Sequence, residues 1–191
     1  MIIDTARYTD IGGRAVNEDS SMAKTYKDFV LAAVADGLGG HGGGDIASSV
    51  ALERLDALAE TEFPRTEEAF RTVCAELNSA VLGAQSDRKR MKTTLALAAV
   101  TDDTLACVHV GDSRIYYFSD GKIRYQSTDH SVSQLAVLSG EITNEQIRFH
   151  EDRSKLLRSL GSEEAATAEV RIFEHTLKPG DAVLLCSDGF W

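Results

Sequence analysis

TLALAAVTDDTLACVHVGD, residues 94–112, decides the architecture of this chain. Two apolar runs, Thr94 to Val100 and Leu105 to Val110, flank Asp102-Asp103 with almost no spacer. Each run is too short for a stable helix and of ordinary strand length. A turn this tight joins antiparallel neighbours, because parallel neighbours need a crossover of a dozen residues or more. The pattern recurs on either side. Ile115 to Phe118 and Ile123 to Gln126 flank Asp120-Gly121, a two-residue hairpin signal. Phe29 to Ala35, Val170 to His175 and Ala182 to Cys186 read as further short strands. Helical spacing is confined to Asp45 to Glu60 and Thr66 to Ala84, with Thr66 as the N-cap of the second, and to the short stretch Ser131 to Ser139. Thr143 and Gln146 have the spacing of a capping box opening one more helix. Strands in hairpins and helices in pairs predict an α+β fold, antiparallel sheet covered by helices.

With 191 residues, no internal repeat and no Pro/Ser-rich linker, the chain reads as a single domain spanning 1–191. A net charge of −10 argues against general binding to nucleic acid or to an anionic membrane, both of which need a basic face. Uncharged runs fall well short of the ~20 residues of a membrane span, and Met1-Ile2-Ile3-Asp4 carries no secretory signal. Cys74, Cys107 and Cys186 are few, odd in number and set among apolar residues, so buried free thiols of a cytoplasmic protein are expected. Arg88-Lys89-Arg90 with Lys92 is the one charge run: a solvated loop, or a docking patch for an acidic partner.

Three strands end alike. The run from Val30 to Ala35 ends in Asp36-Gly37, that from Leu105 to Val110 in Gly111-Asp112, and that from Ala182 to Ser187 in Asp188-Gly189. An acid beside glycine after a strand is also an ordinary turn signal. Three of them, with Glu18-Asp19 near the N-terminus, suggest carboxylates converging on one place. Such a cluster must take up protons or cations. All-oxygen ligands suit Mg²⁺ or Mn²⁺ rather than zinc, and paired ions of this kind assist phosphoryl transfer. Arg14, four residues before Glu18, is a residue type that binds phosphate bidentately, and is otherwise a surface arginine. The glycine-rich run Gly37 to Gly44 lacks a P-loop ending; close packing around a ligand would explain it.

Taken in order, Arg14 to Asp19, Asp36 to His41, Thr93-Thr94, Gly111 to Arg114, Thr128 to Ser131 and Ser187 to Gly189 resemble the metal-dependent serine/threonine phosphatases of the PPM type (protein phosphatase type 2C), in a bacterial-style form. The resemblance runs from about Tyr8 to Trp191. It implies two antiparallel sheets flanked by helices and a binuclear Mg/Mn centre, with a third ion in some members. By position, Asp36 would bridge the metals, the Gly37 carbonyl would bind one and Asp188 the other. Glu18 and Asp19 would act through water, Asp112 would serve the third ion, and Arg14 would bind the substrate phosphate. Thr128 to about Gly161 would form a mobile flap. Two departures stand out. Leu38 occupies the position of a histidine that is a candidate general acid in some relatives, leaving His41 as the nearest substitute or as a structural residue. The family pattern also continues to a further Asp-Asn, whereas this sequence stops at Trp191, so the domain is expected to lack the end of the pattern. The resemblance thus implies hydrolysis of phosphoserine and phosphothreonine in proteins by an activated water, without a phosphoenzyme, on substrates of a serine/threonine kinase. A weakly active or inactive phosphoprotein-binding relative is the alternative.

Overall fold

A computed structural model describes residues 2–38, 42–61, 64–86, 90–163, 167–174 and 177–191. The elements in chain order are β1 (Asp19–Thr25), β2 (Val30–Leu38), α1 (Gly44–Ala59), α2 (Glu67–Ala84), β3 (Lys92–Thr93), β4 (Leu95–Val100), β5 (Thr104–Val110), β6 (Arg114–Ser119), β7 (Lys122–Gln126), α3 (Val132–Leu138), a 3₁₀ helix (Asn144–Phe149), β8 (Glu169–Glu174) and β9 (Ala182–Cys186). The larger sheet runs β1-β2-β4-β5-β8, with β3 paired to β2; the smaller runs β7-β6-β9. Every pairing is antiparallel.

Strand alternation separates two cores. On β2, β4 and β5, Leu31, Ala33, Ala35, Leu97, Ala99, Ala106 and Val108 face α1 and α2, where Ala47, Ala51, Leu55, Phe70 and Leu77 meet them. The intervening residues Ala96, Ala98, Leu105 and Cys107 face the smaller sheet and pack on Ile115 and Tyr117. Period 2 sends successive side chains to opposite faces, so one apolar strand pair serves as the middle layer of helices, sheet and sheet. The small residues Ala96 and Ala98 let the sheets approach closely.

Local signals act as expected. Thr66 Oγ1 accepts from the Ala69 N–H (3.2 Å), a cap worth about 1 kcal/mol. Asp120 (φ 54°) and Gly121 (φ 68°) both take left-handed backbone, as a type I′ hairpin requires. The Thr143–Gln146 capping box is present, although the turn it opens is 3₁₀. β1 and β3 are additions to the expected strands. The strand expected to end at His175 is described to Glu174. All three cysteines are free and buried. Burial pushes the thiols of Cys74 and Cys107 up to about 12 and that of Cys186 up to about 11. Among the described residues no helix is long and apolar enough to cross a membrane.

Candidate metal centre

Antiparallel register sets Asp19 directly opposite Asp36 at the open end of β1 and β2. Opposed residues share a face, with Cβ atoms ~5 Å apart. By alternation that face is the one turned towards the smaller sheet, away from the helices. Hydroxyls then lock the strand ends together. Thr94 Oγ1 accepts the Asp36 N–H (2.9 Å), while Thr93 Oγ1 (2.9 Å) and the Thr94 N–H (2.9 Å) donate to the Asp36 carbonyl. Thr94 Oγ1 also lies 2.7 Å from Ser113 Oγ, tying in the β5–β6 turn that carries Asp112. Ser187 Oγ donates to Asp19 Oδ2 (2.7 Å), tying in the end of β9 next to Asp188. Thr93, Thr94 and Ser113 are fully buried.

The result is four carboxylates, Asp19 and Asp36 from the ends of β1 and β2 and Asp112 and Asp188 from the turns after β5 and β9. Burial, then the charges of Asp19, Asp188 and Asp112, push the Asp36 carboxyl up to about 8. Asp112 is raised to about 7, first by burial and then by Asp188 and Asp129. Like charges this close leave the protein two options, protons or cations. The donors are all oxygen, and the glycines make room for more. A Cβ at Gly37 would lie 2.6 Å from the Glu18 carbonyl and would collide with the Gly44 carbonyl; one at Gly44 would lie 2.7 Å from Glu18 Oε1. Only glycine at both positions brings the Gly37 backbone and the Glu18 carboxylate together at the start of α1. This set fits a hard divalent cation such as Mg²⁺ or Mn²⁺.

Arg14 lies on the exposed turn that precedes β1, held by its N–H to the Ile11 carbonyl (3.2 Å), and its guanidinium forms no ion pair with a described residue. His41, Gly39 and Gly40 lie outside the described residues. At the root of the expected flap, Asp129, His130 and Ser131 are buried. There Arg114, which the sequence reading quoted but gave no role, grips Asp129 bidentately (Nε–Oδ1 2.9 Å, Nη2–Oδ2 2.7 Å). The Gly111 N–H donates to His130 Nδ1 (3.2 Å), and the His130 N–H donates to the Gly111 carbonyl (2.9 Å). The strand end presenting Asp112 is therefore clasped from both sides.

His109, His130 and Glu169 also bring ligand atoms within 4.8 Å of one another. The two imidazoles are stacked, centroids 4.6 Å apart and planes 9° from parallel. Their in-plane lone pairs run side by side instead of converging, and Arg158 Nη1 sits 3.3 Å from His130 Nε2. This is a packed stack and not a chelate.

Comparison with known proteins agrees with this geometry. The profile of the family described as Protein phosphatase 2C matches residues 9–191. Serine/threonine phosphatase stp of Listeria monocytogenes serovar 1/2a is 37% identical over 182 residues, covering 91% of this chain and 71% of that protein. The solved serine/threonine phosphatase of S. agalactiae superposes with a TM-score of 0.80 at 29% identity, over 92% of this chain and 75% of that one. The catalytic domain of the serine threonine protein phosphatase PstP, solved in complex with 2 manganese ions, superposes with a TM-score of 0.68 at 32% identity, over 92% and 73%.

Proposed function

Because the chain belongs to the protein phosphatase 2C family, we propose that it removes phosphate from phosphoserine and phosphothreonine in proteins at this carboxylate centre. The observation that carries the reading is the convergence of Asp19, Asp36, Asp112 and Asp188, where burial and then the neighbouring charges raise Asp36 to about 8. Two Mg²⁺ or Mn²⁺ ions bound here supply charge neutralisation and an activated water to phosphoryl transfer. Asp36 stands at the middle of the group and would contact both ions; the Gly37 carbonyl would hold one and Asp188 the other. Glu18 and Asp19 would orient waters around them, and Asp112 would serve a third ion. Arg14, on its exposed turn, would bind the non-bridging oxygens of the phosphate. The Arg114–Asp129 pair keeps Asp112 in place. Buried thiols pushed up to about 11 or 12 leave no cysteine nucleophile among the chain's three. Reduced thiols and the lack of a spanning helix among the described residues support action in the cytoplasm, on proteins phosphorylated by a serine/threonine kinase. Hydrolysis of an aryl phosphate, followed against Mn²⁺ and again after EDTA, tests this. Turnover that requires the ion and resists thiol alkylation is expected. Metal-independent turnover, or loss on alkylation, would overturn it.

A further inference from the structure

Outside the carboxylate centre the described residues form a cleft whose charge runs against the rest of the molecule. It measures about 460 Å³, and Arg90, Lys92 and Arg158 line it together with Glu163, the only acid among its described lining residues. In a protein of net charge −10 this is an excess of two positive charges among the described residues of the opening. The cations are not spent on structure. Lys92 forms no ion pair with a described residue. Among the described residues Arg158 reaches only neutral groups, His130 Nε2 and the Thr167 carbonyl, both at 3.3 Å. Arg90 meets Glu163 at 3.9 Å with both side chains more than four-fifths exposed, a contact of little energy.

The floor is rigid. Gln85 Nε2 donates to the Met91 (2.7 Å) and Gly161 (2.8 Å) carbonyls. Asn78 Oδ1 accepts from the N–H groups of Gly161 (2.7 Å) and Ser162 (3.2 Å). Gly161 has φ +86°, and a Cβ there would lie 2.7 Å from the Met91 carbonyl, so this close approach requires glycine. Ser159 Oγ and Ser162 Oγ, 3.1 Å apart, share one hydrogen bond and leave a second hydroxyl proton for a ligand.

Its position gives it a purpose. Lys92 pairs with Leu38, and the next residue, Thr93, pairs with Gly37 and bridges to Leu160. The Lys92 wall thus begins two strand residues beyond Asp36, or ~7 Å. An extended peptide covers that distance in two to three residues.

We propose that this cleft is a substrate subsite for an anionic side chain, a carboxylate or a second phosphate, about three residues from the phosphoserine or phosphothreonine. The proposal rests on the phosphatase reading above and adds a selectivity for acidic or multiply phosphorylated segments. Two solvent-screened ion pairs at an exposed site correspond to about a fivefold preference. The test compares phosphopeptides that carry Glu, phosphoserine or Ala three residues to either side of the phosphothreonine. It measures kcat/KM with Mn²⁺ and, separately, Kd in EDTA, where turnover is stopped. Wild type should favour the anionic peptides about fivefold through KM, and the preference should shrink at 0.5 M salt. Arg90→Gln/Lys92→Gln should abolish it without changing aryl phosphate turnover, and Glu163→Gln should enlarge it. Comparing the Glu and phosphoserine peptides tells which anion the subsite takes. Equal kcat/KM and equal Kd for all peptides in the wild type, or a preference that survives in the double variant, would overturn the subsite. If the aryl phosphate is not hydrolysed but the Kd preference follows Arg90 and Lys92, the subsite stands and the phosphatase reading falls.

Discussion

Replacing Asp36 by Asn separates the two ways in which this centre can relieve its charge. Asp36 is raised from an ordinary carboxylate value near 3.8 to about 8, by burial and by Asp19, Asp188 and Asp112. Without cations, the unfolded chain is ionised at this position above pH 4 while the folded chain keeps its proton up to about pH 8. The folded state therefore binds more protons across that window, and stability falls as pH rises through it. At pH 7 the difference is about three pH units at ~1.4 kcal/mol each, or ~4 kcal/mol; because Asp36 is only partly buried, solvent screening reduces this to about 2–4 kcal/mol. Asn carries no proton to lose. In EDTA, Asp36→Asn should be the more stable protein by that amount, a rise in Tm of several degrees for a domain of this size. Mn²⁺ reverses the order. Bound at a hundred times its Kd, an ion stabilises the wild type by about 2.7 kcal/mol, whereas the variant, lacking the central ligand, should gain almost nothing and show no turnover. Urea unfolding at pH 7, in EDTA and then in Mn²⁺, reads both effects. A variant less stable than wild type in EDTA, or equally stabilised by Mn²⁺, would refute the crowding of carboxylates around Asp36.

Arg14→Ala should leave Mn²⁺ affinity intact and raise KM for phosphopeptides, since a phosphate contact made in ground and transition states alike is uniform binding; a loss confined to kcat would assign Arg14 to the transition state. Arg114→Met should cost about 3–5 kcal/mol, because it leaves the buried Asp129 carboxylate without its bidentate partner. Arg114→Met/Asp129→Asn should recover much of that in urea titrations, and a single-variant cost below 1 kcal/mol would contradict the clasp. Burial, and after it the neighbouring His109 and Arg158, lower His130 to about 3. The unfolded chain therefore takes up a proton near pH 6.5 that the folded chain refuses, and stability falls as pH drops below that value. Relative to His130→Gln, wild type should lose about 1.4 kcal/mol per pH unit between 6.5 and 5; parallel stability curves for the two proteins would exclude it.

Local signals in the sequence were sufficient for most of the fold. Apolar runs, the Asp120-Gly121 turn, the Thr66 cap and the Thr143–Gln146 capping box act through neighbours within a few residues, so they survive reading in one dimension. β1 escaped because Ser20, Ser21 and Lys24 give it no apolar alternation: it is a half-buried edge strand, held by its register with β2 and by Lys24 reaching Asp56 on α1 (2.8 Å). β3 is two residues long and exists only because Thr93 finds Gly37 and Leu160.

The site divides in the same way. Asp36, Asp112 and Asp188 were legible as acids delivered by strand ends, and the glycines as places of close approach. That these acids share one volume was suggested by their repetition and implied by the family resemblance, but the geometry of their meeting was not legible, because it depends on pairings such as β2 with β4 and β6 with β9, whose partners lie far apart in the chain. The same holds for the Arg114–Asp129 clasp and for Arg158, which joins Arg90 and Lys92 only through the Thr93–Leu160 bridge. A sequence specifies residue type, and with it ligand chemistry, charge and local backbone preference, since these depend on covalent structure and near neighbours. Burial, pKa and convergence depend on which distant segments exclude water from one another, and that is decided only when the sheets close.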